Sequence, residues 1–299
     1  MYLIKSLSLA IFTSIFFVSV VAANDKGESP VRGLTGFENI NESQPLWEFG
    51  VGGGAIDVAN YPASSERNFI ALAAPYVIYR GDVFRVGGEN GMRAVVVETT
   101  DFELDLSFGG AFSADSEDNT SRAGMPELDF LFEIGPQLIY RVKDFTFEQS
   151  GDARLKVRLQ ARAVFSTDFN RIDDRGFVIE PTLSYQQRGV IFKETGLKVG
   201  LSFTFATEAL QDYFYQVDPE FANNNRRPYD AKGGYLGAEF SLGLSFPIRK
   251  NIRGFLAGSA QLHQGAANQE SPLYEKDVTY SFGLGFVWRL YESDAKASW

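Results

Sequence analysis

Residues 154–165, RLKVRLQARAVF, alternate with a strict period of two. Leu155, Val157, Leu159, Ala161, Ala163 and Phe165 are apolar, and Arg154, Lys156, Arg158, Gln160 and Arg162 stand between them. Period two is the spacing of a β-strand, whose successive side chains point to opposite faces. One face of this strand needs an apolar phase and the other carries cations. The pattern recurs. In 102–108, Phe102, Leu104, Leu106 and Phe108 alternate with Glu103, Asp105 and Ser107. In 128–142, Leu128, Phe130, Phe132, Ile134, Leu138, Tyr140 and Val142 share one face, and Asp129, Glu133, Gln137 and Arg141 share the other. Residues 197–205 and 278–290 read the same way.

Turn-forming clusters of Gly, Pro, Asn, Asp and Ser divide the chain after Trp47 into twelve candidate strands: 46–58, 67–80, 83–86, 91–97, 101–113, 126–142, 153–168, 175–188, 194–207, 233–247, 251–263 and 277–291. No stretch between them has the 3.6-residue period of a helix. A soluble sandwich would bury the apolar faces in a core, whereas a transmembrane barrel turns them to lipid and the polar faces to its lumen. Three features favour the barrel. Several segments reach a dozen residues or more, longer than the usual soluble strand and enough for a tilted bilayer crossing. Aromatic residues sit near segment ends (Trp47, Tyr79, Tyr140, Tyr185, Tyr235, Tyr280, Trp288, Tyr291), where interfacial girdles belong. The gaps also alternate in length. Counted back from a periplasmic C-terminus, 264–276, 208–232, 169–174, 114–125, 87–90 and 59–66 fall outside, and the mostly shorter 248–250, 189–193, 143–152, 98–100 and 81–82 fall inside. Two gaps break the rule: 143–152 is long for an inner turn and 87–90 short for an outer loop. The expected fold is therefore all-β: a closed, antiparallel, up-and-down transmembrane β-barrel of about twelve strands, closed because an open edge in lipid would leave backbone groups unpaired.

The N-terminus reads as a secretory signal. Lys5 is the only charge before Asp25, residues 6–22 are dominated by apolar and small side chains, and Val21-Ala22-Ala23 offers a cleavage point. The expected organisation is signal peptide 1–23, flexible periplasmic leader 24–45 and barrel 46–299, in a Gram-negative outer membrane. No later run is long and apolar enough for a transmembrane helix. The formal net charge of −10 argues against a nucleic-acid partner, which needs a basic surface. With no Cys there are no disulfides and no thiol chemistry. No cofactor or metal is expected.

In such a barrel Lys156, Arg158 and Arg162 face the lumen, and Glu103, Asp105, Asp129 and Glu133 of the two preceding strands face the same wall. The cluster reads as a salt-bridge network bracing a narrow lumen, or as the lining of a selective pore. His263 is the single histidine, and Ser259 lies four residues before it on the same strand, about 13 Å away at 3.3 Å per residue. That spacing does not make a Ser/His pair. The acidic run 115–119 lacks the spacing of an EF-hand loop, and the glycines of 50–54 lack the Gly-Lys-Ser/Thr of a phosphate loop. The longest outer segment, DYFYQVDPEFANNNRRPYDAKGGY at 212–235, has the aromatic and charged make-up of an ordered loop, with Asp212, Tyr213, Tyr215, Asp218, Arg226, Arg227, Tyr229, Asp230 and Lys232 as candidate functional residues. It would fold into the mouth or bind a partner, or else pack on itself as a seal.

Several stretches together resemble the MltA-interacting protein/OmpV family of outer-membrane proteins: WEFGVGGGAIDVANYPASSE at 47–66, APYVIYRGDVFRV at 74–86, FELDLSFGGAFSADSEDNTSRAGMPELD at 102–129, EIGPQL at 133–138, DYFYQVDP at 212–219 and YDAKGGY at 229–235. The resemblance implies a non-catalytic barrel scaffold embedded in outer-membrane lipid, joining a murein lytic transglycosylase to a bifunctional penicillin-binding protein in peptidoglycan maintenance. A pore for small solutes is the alternative, and a barrel hydrolase using His263 a third reading. No catalytic residues carry over.

Overall fold

The computed structural model describes residues 44–81, 84–86, 93–99, 101–111, 120–148, 151–192 and 194–297. The expected signal peptide, residues 24–43 of the expected leader and the acidic run 115–119 lie outside these residues. Twelve strands form one closed antiparallel sheet: β1 (Trp47–Ala59), β2 (Arg67–Arg80), β3 (Phe84–Val86), β4 (Arg93–Glu98), β5 (Phe102–Ala111), β6 (Phe130–Phe147), β7 (Gly151–Thr167), β8 (Ile172–Arg188), β9 (Gly196–Ala206), β10 (Gly234–Arg249), β11 (Ile252–Leu262) and β12 (Val278–Glu292). Each strand pairs with its neighbours in the chain, and β12 returns to β1 from Glu48↔Glu292 to Asp57↔Phe282. A bridge between Pro45 and Lys296 extends that closure below the strands. The end at which β1 begins and β12 ends is called periplasmic here, after the usual arrangement of outer-membrane barrels.

The alternation read from sequence is the partition seen in space. On β12, Tyr280, Phe282, Leu284, Phe286, Trp288 and Leu290 are exposed around the outside, while Thr279 is buried inside. On β7, Val157 and Leu159 point out, and Arg154, Lys156 and Gln160 are buried in the lumen. An apolar belt of this extent on an unpartnered surface fits lipid, not water. At the periplasmic rim the rings of Trp47 and Tyr79 lie 4.2 Å apart.

Three departures from the sequence reading have physical causes. The inner gap expected at 143–152 is mostly strand. A bulge between Arg141 and Lys143 inserts one residue and moves the outward face from even positions to Phe145 and Phe147, so the alternation breaks although the ladder continues. Second, β6 begins at Phe130 and not near 126. Leu128, expected to face lipid, is buried with Leu131 in a core at the outer mouth. Third, the long outer loop contains a helix, α1 (Glu208–Tyr215), too short for its period to stand out.

That outer core is a cluster of buried apolar residues drawn from wall and loops. Leu210, Phe214, Tyr215 and Val217 from the β9–β10 loop pack against Leu131, Val164 and Val178 of the wall, and against Tyr61 and Leu273 from two other loops. The mouth is thus filled by side chains that the sequence spaces far apart.

On the opposite, periplasmic side the β6–β7 hairpin runs past the start of β5, with β8 alongside it to Gln187. β5 begins at Phe102, opposite Tyr140. β6 runs on to Phe147, seven residues further and about 23 Å of strand at 3.3 Å per residue.

Candidate functional site

The expected functional loop is a cap, and most of the residues singled out in it are fasteners. Tyr215 is fully buried and its hydroxyl donates to Pro62 O at 2.9 Å; burial raises its pKa well above the ordinary tyrosine value. Tyr213 donates to Asp129 O at 3.1 Å under the Arg175 guanidinium, 4.4 Å from the ring centroid. Burial and the Asp129 charge push its pKa up to about 12. Arg226 is buried and grips three carbonyls, those of Phe221, Ser121 and Ala123, at 2.7–3.2 Å. Arg227 donates to Glu270 O at 2.9 Å, and Tyr229 to Asn268 Oδ1 at 3.2 Å. Asp218 accepts from the Gln216 amide at 3.0 Å. Asp212 lies on α1, its carboxyl pushed up by burial and by the neighbouring charges of Glu208, Asp230 and Asp218. Asp230 and Lys232 are exposed on the cap surface, although the Lys232 backbone is held by Asn268.

Several fasteners had no signal in the sequence. Asn268, fully buried, accepts the Lys232 N–H at 2.8 Å, donates to Lys232 O at 2.8 Å and donates to Gln211 Oε1 at 2.9 Å. Gln211 passes the connection to Gly234 O at 3.1 Å. Arg122 donates to Phe214 O at 3.1 Å and stands 5.7 Å from the Tyr61 ring centroid; burial lowers its pKa. These amides and cations look like ordinary loop polarity until four loops meet.

The expected lumenal ionic cluster is partly rearranged. Arg162 meets Glu133 at 3.1 Å. Arg158 pairs not with β5 or β6 but with Glu180 of β8, at 3.6 Å. Glu103 lies 3.6 Å from Arg85 of β3, which also holds Glu98 at 2.6 Å. Asp105 accepts from Gln137 at 3.0 Å, and Gln160 donates to Gln137 in turn. Lys156 is buried on the same wall. Asp129 is off this wall: it lies just before β6, where its carbonyl accepts from Tyr213 of the cap. Arg154, outside the predicted cluster, pairs with Asp144 at 2.6 Å across the β6–β7 hairpin. Opposite signs within a low-dielectric lumen offset one another's desolvation only when paired this closely.

Beneath the cap, the half of the lumen formed by β8–β11 carries short inward side chains. A cavity of about 290 Å³ remains there, lined by hydroxyls such as Ser202, Thr204 and Ser241 and by Arg158, Lys198 and Glu239. His263 stands at its upper edge. Nε2 accepts the Ala63 N–H at 3.1 Å, which puts the proton of the neutral ring on Nδ1, and lies 3.0 Å from Thr279 Oγ1. Burial lowers the His263 pKa. Ala63 is held in the left-handed region (φ 64°) and its carbonyl accepts from both Glu275 and Lys276 at 3.0 Å. His263 therefore ties the β1–β2 loop to the β11–β12 loop. No serine is hydrogen-bonded to it among the described residues. No group of three or more potential metal ligands occurs among them either.

The family model described as MltA-interacting protein MipA matches residues 51–290. Comparison with curated proteins finds no match. Among solved structures, the NanC porin is similar at a TM-score of 0.37 and 8% identity, over 81% of this chain and 100% of that one. An outer-membrane channel from Pseudomonas putida F1 gives 0.37 and 11%, over 83% and 96%. Outer membrane phospholipase A from Escherichia coli gives 0.28 and 11%, over 84% and 93%.

Proposed function

The chain belongs to the MltA-interacting protein MipA family, and from that premise we propose that it is a non-catalytic outer-membrane scaffold that holds a murein lytic transglycosylase, with a bifunctional penicillin-binding protein, at the periplasmic end of the barrel. The family match over residues 51–290 carries this reading. The β6–β7 hairpin and the neighbouring β8–β9 turn offer a surface for it. Phe147 and Lys143 are exposed on the hairpin's outward face, Phe145 stacks on Phe147 at 6.2 Å, and Ile191 and Phe192 of the β8–β9 turn are exposed at the same end. Exposed aromatic and aliphatic side chains beside cations are the make-up of interface anchors. The pore reading is less favoured: the cap packs the outer mouth and ion pairs occupy much of the lumen.

The test is affinity capture from envelope extract with the mature barrel as bait, beside a variant carrying Phe145→Asp and Phe147→Asp. Retention of a lytic transglycosylase by the wild type, reduced at least tenfold by the variant, is the expected outcome. A wild-type barrel that retains no murein enzyme overturns the reading.

A further inference from the structure

On β5–β7 the lumenal polar side chains meet one another: Arg162 holds Glu133, Gln160 reaches Gln137, and Gln137 reaches Asp105. The cavity of about 290 Å³ beneath the cap is lined differently. Ser184, Ser202, Thr204 and Ser241 border it, and none of these hydroxyls has a hydrogen-bond partner among the described residues. Ser184 is only 7% exposed, so its hydroxyl looks to the cavity and not to bulk solvent. A buried hydroxyl left without a partner is costly.

The register accounts for the arrangement. Gly200 of β9 has Ser184 of β8 as its partner on one side and Ser241 of β10 on the other. With no side chain of its own, Gly200 leaves a notch into which Ser241 leans: a Cβ there would stand 2.5 Å from the Ser241 hydroxyl. The backbones of Ser184 and Ser241 are two strand spacings apart, about 10 Å. Ser202 and Thr204 continue the same face of β9 toward the cap. The charges in the lining cancel. Arg158 and Lys198 are cations and Glu180 and Glu239 carboxylates; Arg158 lies 3.6 Å from Glu180, and Glu239 accepts from Gln261 at 2.8 Å. An ion brought into this cavity therefore finds no surplus of opposite charge to offset its desolvation.

We propose that this cavity binds a neutral saccharide of one or two rings. Each wall hydroxyl can both donate and accept, as each sugar hydroxyl can. A ligand that displaces solvent here gains only if it reproduces the hydrogen bonds that solvent made. The free hydroxyls stand on three neighbouring strands, so the ligand must carry several hydroxyls of its own, and a ring holds them in place at little entropic cost. The proposal is independent of the scaffold reading, which concerns the periplasmic end.

The test is equilibrium dialysis of the full barrel in dodecylphosphocholine, a detergent without a sugar headgroup. The probes are radiolabelled glucose and sucrose, with glucosamine and glucuronic acid as cationic and anionic counterparts. Ser202→Leu fills the cavity, and the double change Ser184→Ala with Thr204→Val removes two hydroxyls with little change of shape. Ala257→Leu, on β11 outside this cavity, is the control. Heat-modifiable migration reports folding. The expected result is saturable binding of glucose or sucrose by the wild type and by Ala257→Leu, weakened about tenfold or more by the double change and lost in Ser202→Leu. The charged counterparts should bind at least tenfold more weakly than glucose. Absence of saturable binding of both neutral sugars to the wild type overturns the proposal. So does a charged counterpart that binds as tightly as glucose, or binding unchanged in the folded double variant.

Discussion

Arg226 offers the most direct measure of how firmly the cap is fastened. Its guanidinium donates to Phe221 O at 2.9 and 2.8 Å, to Ser121 O at 2.7 Å and to Ala123 O at 3.2 and 3.1 Å. Arg226→Ala removes every one of these bonds and leaves three carbonyls to find water. A hydrogen bond to a charged group is worth about 1.5–3 kcal/mol. Ala123 lies at the surface and rehydrates readily, so the expected loss is about 3–4 kcal/mol, or a factor of roughly 10²–10³ in the opening equilibrium. The loss is local, because the partners belong to loops and the sheet ladder is untouched. Hydrogen exchange read by mass spectrometry is the assay. Peptides covering 120–128 and 217–229 should exchange at least a hundredfold faster, while those of β10 and β12 stay protected. Arg226→Lys should fall between, since an ammonium lacks the planar fork that reaches three acceptors at once. Unchanged exchange in the cap, or equal acceleration in the strands, would refute the reasoning.

Two further predictions concern buried charge. Glu133→Gln strands Arg162 in the lumen and is expected to cost about 3 kcal/mol in urea unfolding from lipid, whereas the double change Glu133→Leu with Arg162→Leu should cost less than the single one. A double variant less stable than the single one would contradict the pairing argument. For His263, the folded pKa is lowered from 6.5, so the unfolded or opened state binds the proton more readily. Its contribution is complete above about pH 6.5 and is lost as pH falls through the folded pKa. Opening of the 60–66 loop, followed by exchange of the Ala63 amide, should therefore increase between pH 7.5 and 5, and His263→Gln should flatten that dependence. A wild-type profile that is flat over this range would show that the ring does not hold the loop.

The strands were legible because lipid outside and ions inside enforce a period of two on nearly every one. β12 is a full example, with seven exposed apolar residues from Val278 to Leu290 alternating with residues that are small or polar except for Val287. Legibility ended where that constraint lapses. One inserted residue at Arg141–Lys143 concealed the lower part of β6, since alternation carries no memory across a bulge. Leu128 obeyed the spacing yet is buried in the cap core, because an apolar side chain at a mouth can turn to a cap as well as to lipid. The ionic partners followed three-dimensional register: Arg158 reached Glu180 on the strand after it, not an acid on the strands before. The cap fasteners Asn268 and Gln211 are 57 residues apart, and no local pattern marks one for the other.

Closure of the cylinder also dictates an order of assembly. Its final seam joins Glu48 to Glu292, so the first strand made must wait for the last. Until residues 278–292 arrive, the growing sheet has two raw margins, at β1 and at whichever strand is newest. Such margins recruit other chains. A polypeptide built this way needs an escort across the periplasm and a site of insertion that shields both margins together, and truncating even its final strand should convert a membrane protein into an aggregate.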